Sequence, residues 1–441
     1  MKRYNELYTP NTPHLKGIIT QNGTFDIYDA VSRCTRCGYC IETCPTYAIL
    51  NDERLSPRGR NITVRALIEG RLKDVRYASF SIDSCLLCSA CSDVCYGDVP
   101  TPDVILEARR EKRSLYEQAI LKFILRMREK ANVFDLIVKI FYLMIKAGLL
   151  KIADKLGFFK LIGFPALCEV SKKLFNPPLK FLHESIERYI NINQNTPTKW
   201  VYFLTCGTDY LFPNVGKSTL RVMNKIFGNI IFMKNKCCGL ISYNYGDLED
   251  ARKLAIENIN IYLELRKIHK DLLIVVDCSS CAAFMKKYPQ LFIDSSYYDS
   301  AIEFSSKVKD IIEVIRPQHI TGPLPKELKN KKITIHHSCK AYREEKLKDN
   351  QEKVLLPLFK ENLINLDEVM CCGGAGAYTF THPQYSHQIL LRKIKNIAET
   401  HAEITVVSST SCLMQLGYGK TKYYPYTEVI HYIELIDKII G

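Results

Sequence analysis

The chain has 441 residues, 47% of them hydrophobic and 24% charged, which suits two to four globular domains and excludes a disordered chain. Eighteen cysteines in so long a chain, with no apolar h-region in MKRYNELYTPNTPHLKG, predict metal binding in the reducing cytoplasm rather than a disulfide-stapled secreted protein. The net charge of +14 is uneven: residues 1–113 carry 16 Lys/Arg against 14 Asp/Glu, residues 114–199 carry 14 against 7, and the rest carry 31 against 26. No nucleic-acid motif accompanies the basic middle, so an acidic protein or an anionic membrane face is the expected partner, with no nucleic acid.

Residues 1–27 read as a loosely structured arm, and a helical pattern begins near Ile27. The run CTRCGYCIETCP then places Cys34, Cys37, Cys40 and Cys44 with a proline behind the last. CLLCSACSDVC repeats the spacing at Cys85, Cys88, Cys91 and Cys95. Three thiols two residues apart fit three corners of a cubane, and the fourth reaches the other cluster. Cys34, Cys37, Cys40 and Cys95 are therefore expected to hold one [4Fe–4S] cluster, and Cys85, Cys88, Cys91 and Cys44 the other. Structural zinc sites usually pair a CxxC with a distant CxxC or HxxxH, so zinc fits this spacing less well.

Between the runs, Ser56 and Pro57 predict a helix start, with a helix to about Leu72. Arg58 and Arg60 in it are expected either to face the first cluster or to be surface charges. A helix from Thr101 to about Arg113 closes a two-cluster, ferredoxin-like domain over residues 1–113. Residues 114–199 form a basic, amphipathic, helical linker. Lys139, Lys146, Lys151, Lys155 and Lys160 interrupt its apolar runs, and the longest uncharged run in its core spans the 6 residues Ile140–Ile145. A membrane-spanning helix needs about 20 apolar residues, so the linker does not cross a bilayer. Short helices broken near Gly148, Gly157 and Pro165 are expected to pack on the chain itself, dock a partner, or lie in a membrane interface. Peripheral attachment to the cytoplasmic membrane face is thus left open. Cys168 stands alone here and reads as a small buried hydrophobe.

Residues 200–441 contain an internal repeat. Cys206, Cys237–Cys238 and Cys281 recur as Cys339, Cys371–Cys372 and Cys412, at offsets of 133, 134 and 131 residues. Each half runs strand, Cys, helix, strand, CCG, helix, strand, Cys. Alternating strands and helices predict two α/β cysteine-rich domains, 200–330 and 331–441, with the cysteines on one rim of a parallel sheet. In the first, Cys206, Cys237, Cys238, Cys278 and Cys281 make five thiolates. Adjacent cysteines suit a multinuclear iron–sulfur cluster better than one small ion, though a four-thiolate zinc site is the alternative. Gly239 is expected to let the backbone turn closely round that cluster.

In the second half Ser409 stands where Cys278 stands in the first. Cys339, Cys371, Cys372 and Cys412 remain, and a cubane, a zinc ion or no metal all stay open. His336 and His337 precede Cys339, either as hydrogen-bond partners or as a ligand or proton donor. No GxGxxG after a strand, P-loop or GxSxG appears, so neither a flavin nor a nicotinamide site is identified and no catalytic residue is assigned. The chemistry expected is electron transfer.

CTRCGYCIETCPTY, SPRGR and CLLCSACSDVC, with CCGGAGAYTFTHPQYS and SCLMQL, resemble the iron–sulfur subunit of glycolate oxidase and related FAD-linked 2-hydroxy-acid dehydrogenases. The resemblance runs from Tyr28 to Leu416. It implies a separate flavoprotein partner that oxidises the hydroxy acid, and a quinone or another membrane-side carrier as acceptor. The cysteine-rich repeats are also similar to those of heterodisulfide reductase, where a five-thiolate site holds a non-cubane [4Fe–4S] cluster acting on disulfides. Cys278 moves the first repeat towards that pattern, whereas Ser409 keeps the second closer to the glycolate oxidase type. HHSC at 336–339 replaces the more usual HDPC.

Overall fold

The computed structural model describes residues 14–72, 75–111, 131–157, 169, 172–174, 177–189 and 198–441. Cys168, Pro165 and Lys160 lie outside the described residues, as do residues 1–13 of the amino-terminal arm.

The part of that arm that is described is ordered, contrary to expectation. Strands β1 (Ile18–Thr20) and β2 (Gly23–Phe25) pair antiparallel across a two-residue turn. Gly23 takes φ +114°, where a side chain would be strained, and its missing side chain permits the tight reversal. Leu15 and Ile18 are buried, and His14 Nδ1 lies 3.0 Å from a Glu107 carboxylate oxygen. The apolar alternation was too short to announce a strand, and the helix that receives it is distant in sequence.

The cysteine runs are loops held by helices Ile27–Ser32, Pro45–Leu50, Pro57–Ile68, Val75–Asp83 and Thr101–Glu111. Ser56 caps Pro57–Ile68 by accepting from the Gly59 amide, as its position before a proline predicts. The helix ends at Ile68, four residues short of expectation, because Glu69 and Gly70 already close it.

The remainder holds two four-stranded parallel sheets. The first contains β3 (Trp200–Phe203), β4 (Ile230–Phe232), β5 (Leu273–Val276) and β6 (Val308–Asp310), in spatial order β4-β3-β5-β6. The second contains β7 (Ile333–Ile335), β8 (Leu363–Ile364), β9 (Ile404–Val407) and β10 (Glu428–His431), in the matching order β8-β7-β9-β10. Each β4-β3-β5-β6 or β8-β7-β9-β10 sheet reverses its winding between its first and third strands. That is the crevice where open α/β sheets place their ligands. The fold is thus a helical iron–sulfur module joined to a duplicated α/β unit.

Side-chain alternation along the first sheet ties the parts together. Val201, Phe203, Ile274 and Val276 face a core shared with Ile27, Val64, Ile82 and Val104 of the amino-terminal module. Tyr202 and Val275 point the other way, into a core shared with Ile333, Val406 and Leu435 of the second half. The repeats also touch where Gly207 meets Thr410. A Cβ on Gly207 would lie 2.1 Å from Thr410 Oγ1.

The linker helices Ala131–Lys146 and Leu149–Lys155 break at Gly148, as expected, which takes φ +73°. Tyr142, Ile145 and Leu150 pack against Phe181, beside Tyr210 and Leu211. No helix among the described residues is long and apolar enough to cross a membrane.

Candidate iron–sulfur sites

Both amino-terminal cysteine runs bend the same way. Arg36 and Leu87, each just before the second thiol, have φ of +63° and +54°, and Gly38 and Ser89, just after it, have φ of +93° and +61°. Left-handed residues flanking a thiol turn successive side chains towards one centre, and non-glycine residues hold that shape only when their surroundings enforce it.

Cys44, Cys85, Cys88 and Cys91 line one small cavity together with Arg60. That is the set drawn from both runs by the exchanged-fourth-ligand reading. Burial pushes the Cys88 thiol up to about 12 and the Cys91 thiol well above its usual range. Cys40 sits by Cys34 and Cys95; burial, with those two neighbours, pushes it up to about 11. Cys37 is exposed, so this first group opens to solvent, where Tyr39 and Tyr96 meet edge to face at 5.4 Å.

The two arginines divide between the groups rather than both facing the first. Arg58 pairs with Glu53 at 2.6 Å on the surface, close to Gly38 and Cys40. Arg60 is 2% exposed and reaches the second group, with Nη1 3.6 Å from Cys44 Sγ. Its donors also go to the Leu55 carbonyl at 2.5 Å, the Ser81 carbonyl at 2.8 Å, Thr46 Oγ1 at 3.0 Å and Ser84 Oγ at 3.0 Å. One turn of helix separates a surface charge from a buried one, and the sequence alone does not say which residue turns inward.

In the first repeat Cys206 follows β3 and Cys278 follows β5, at the two sides of the crevice. Cys237 touches Cys238, Cys238 touches Cys281, and Cys281 touches Cys278. The Cys281 thiol beside Cys278 holds that thiol well below its ordinary range, whereas its own contacts with Cys238 and Cys278 push Cys281 up. The glycine that follows the paired cysteines does not face the thiols. Gly239 takes φ +87° and its missing Cβ faces Ala251 and Leu254 at 3.4–3.6 Å. Gly373 in the second repeat takes φ +80° and would place a Cβ 2.8 Å from the Ser386 carbonyl. Both glycines serve a left-handed turn under a helix, not the close approach to a cluster that was expected of Gly239.

In the second repeat Cys339 contacts Cys371, and Cys372 Sγ lies 3.6 Å from Cys412 Sγ. The contact with Cys371 and burial push Cys339 well above its usual range. Ser409 occupies the helix N-cap position that Cys278 occupies in the first repeat, with the same extended backbone. Its hydroxyl turns away from the second repeat's thiols, meeting Cys278 Sγ at 3.6 Å, Ser280 Oγ at 2.9 Å and Ser411 Oγ at 3.2 Å. His336, at the end of β7, is buried, and burial holds it well below its ordinary value, as a neutral ring. His337 instead pairs with Glu352 at 2.9 Å.

All nine thiols of the repeats line a single cavity of about 290 Å³, whose other walls include Leu86, Leu87, Leu240 and Met414. Leu86, Cys88 and Ala90 pack with Cys371, Tyr378 and Ile389, with Cys339 beside them. The second amino-terminal group therefore abuts the second repeat. Tyr378 donates to the Ser84 carbonyl at 3.0 Å, Ser89 donates to Glu344 at 2.6 Å, and Lys346 pairs with Asp93 at 2.7 Å across that contact.

The 4Fe-4S dicluster domain family matches residues 30–99, and the cysteine-rich domain family matches residues 200–286 and 333–417. The glycolate oxidase iron-sulfur subunit of Escherichia coli (strain K12) is 26% identical over 423 residues, 93% of this chain and 95% of that protein. The chain is similar over nearly its whole length to that iron–sulfur subunit. A probable glycolate oxidase iron-sulfur subunit of Bacillus subtilis (strain 168) is 25% identical over 408 residues, 88% of each chain. Lactate utilization protein A of Oceanobacillus iheyensis is 26% identical over 238 residues, 53% of this chain and 95% of that protein.

The donor chemistry suits iron–sulfur clusters at these sites. Thiols converge in apolar cavities, and few other polar atoms compete with them. What the sequence did not disclose is how the sites are joined: Tyr378, Glu344 and Lys346 act across gaps of more than two hundred residues, and no local pattern marks them.

Proposed function

We propose that this chain is the electron-transfer subunit of a flavin-linked 2-hydroxy-acid dehydrogenase, in which a separate flavoprotein oxidises a glycolate- or lactate-type substrate. The observation that carries this reading is the continuity of the sites. The group Cys34, Cys37, Cys40 and Cys95 opens to solvent, the group of Cys44, Cys85, Cys88 and Cys91 lies behind it, and Cys88 packs against Cys371. Clusters bound in these groups supply one-electron carriers. The thiols hold them, the cavity walls exclude water, and Arg60 balances negative charge at the second group. Relatives named as glycolate oxidase and lactate utilization proteins support the substrate class. The test is turnover: the purified chain alone is expected to oxidise neither glycolate nor lactate, and to be reduced by either acid once an FAD-linked dehydrogenase is added. Oxidation by the chain alone overturns the reading.

The acceptor, on the same reading, is a quinone or another carrier at the membrane. Helix Ala131–Lys146 exposes Val133, Leu136, Ile137, Ile140 and Leu143, and Leu149, Ile152 and Leu156 follow in the next helix. Lys146, Lys151 and Lys155 are exposed among them. An apolar stripe edged with lysines suits the interface of an anionic bilayer. Binding to anionic vesicles that weakens with salt is expected; binding indifferent to salt removes the electrostatic part.

A second reading rests on Cys278. Five thiols in the first repeat face the shared cavity, which fits a site that reduces a disulfide or related sulfur substrate. Paramagnetic resonance of the oxidised protein with a thiol distinguishes the two. A changed signal favours sulfur chemistry, and an unchanged signal from an intact cluster favours simple electron transfer.

A further inference from the structure

His336 is the most anomalous polar side chain in the second repeat. It is 1% exposed, and neither Nδ1 nor Nε2 has a hydrogen-bond partner. A buried imidazole left without partners loses its hydration and gains nothing in exchange, so such a ring calls for a ligand. It lines the cavity that the thiols line. A ring nitrogen, Cys372 Sγ and Cys412 Sγ all lie within 4.8 Å of one another. The backbone fixes the ring's place, because the His336 amide donates to the Val406 carbonyl at 2.9 Å, locking the end of β7 to β9.

The first repeat supplies the comparison. There the five donors are Cys206, Cys237, Cys238, Cys278 and Cys281, and the position matching His336 at the strand end is Phe203, an apolar residue buried in the core. The second repeat has lost the Cys278 thiol, and the serine in its place has its hydroxyl engaged with Cys278, Ser280 and Ser411. One donor is therefore missing from the loop after β9, and an unpartnered donor has appeared at the end of β7. Both stand at the crevice between these two strands.

We infer that His336 is a nitrogen ligand of an iron–sulfur cluster in the second repeat, completing a five-donor set with Cys339, Cys371, Cys372 and Cys412. This rests on reading the second repeat as a cluster site. Replacing a thiolate by a neutral imidazole removes one negative charge from the ligand set, which favours the reduced state. The two repeats then hold centres of unequal potential on one cavity, the histidine-ligated one the more easily reduced and the one that abuts Cys88. Iron at one nitrogen would satisfy the acceptor of the neutral ring, leaving the other ring N–H as its one donor.

The experiment uses the full chain, reconstituted anaerobically with iron and sulfide, with natural and with 15N-labelled histidine. Iron is counted first. About eight atoms per chain means that only the amino-terminal pair is filled, and the cluster reading of the repeats fails with this inference. Zinc in place of the additional iron fails it likewise. With additional iron present, pulsed paramagnetic resonance of the reduced chain is expected to show a strongly coupled nitrogen whose signal changes with the 15N label. That coupling is expected to vanish in His336→Phe, and in His336→Cys with the iron retained and the potential of that cluster made more negative. A filled second repeat without strong nitrogen coupling overturns the role of His336 alone, as does a coupling that survives in His336→Cys.

Discussion

At Arg60 a single side chain decides the character of a whole site. The guanidinium is buried, and its three nitrogens donate to Cys44, the Leu55 and Ser81 carbonyls, Thr46 and Ser84. Its charge stays on, since the neighbouring Cys85 and Cys44 outweigh what burial takes away. A fixed cation next to an anionic cluster favours the extra electron. Arg60→Gln is therefore expected to lower the reduction potential of one amino-terminal cluster by on the order of 60 mV, equivalent to about 1.4 kcal/mol for one electron. Arg58→Gln, whose partner is the surface carboxylate Glu53, is expected to change it much less. A redox titration followed by paramagnetic resonance checks both, and equal shifts contradict the assignment. SPRGR marks the two arginines in the sequence, but helical phase relative to an unseen neighbour selects between them. The thiols are different: ligand spacing is a local property, so all of them could be singled out before any contact was known.

Helices and strands were legible where a cap or a repeat announces them. Ser56-Pro57 starts a helix, Gly148 breaks one, and the doubled strand–Cys–helix pattern yields two sheets of one order. The hairpin Ile18–Phe25 was missed because its support comes from Glu107 and the module's core. Linker helix Ala131–Lys146 buries Tyr142 and Ile145 and leaves Leu136, Ile137, Ile140 and Leu143 exposed, so only part of its apolar surface is covered. The covered side is fastened by Lys139 on Glu184, by the Tyr142 hydroxyl on the Tyr210 carbonyl, by the Tyr210 hydroxyl on Asp135, and by His183. Nδ1 donates to Asp209 at 2.8 Å, and Nε2 donates to Asp135 of the helix Ala131–Lys146 at 3.1 Å. The hydrogen bond to Asp209, with both carboxylates nearby, holds the ring above its ordinary value of 6.5. The His183 part of the fastening is thus complete below that value and is lost as pH rises through the raised folded value. Proteolysis within the linker is expected to accelerate from pH 6 to pH 8.5, and His183→Gln is expected to be fast at both. A rate for the unchanged chain that does not respond to pH contradicts this.

On the scale of the whole molecule, the amino-terminal module, the first sheet and the second sheet share cores, and Cys88 and Cys371 sit in one apolar cluster. Iron removal is expected to loosen the module from the second repeat as well as to empty the sites, because binding to the folded state alone stabilises it. A fall of several degrees in Tm after chelation, with new cleavage near Ser89 or Lys346, checks that; an unchanged Tm contradicts it. The contact of Gly207 with Thr410 sets the spacing of the two repeats, since there is no room for even one methyl group between them. Gly207→Ala would act as a wedge against Thr410, prising Cys206 away from the second repeat without removing any thiol. Electron tunnelling decays exponentially with separation, so that hydrogen-for-methyl exchange would throttle hopping between the halves while leaving every iron atom in place.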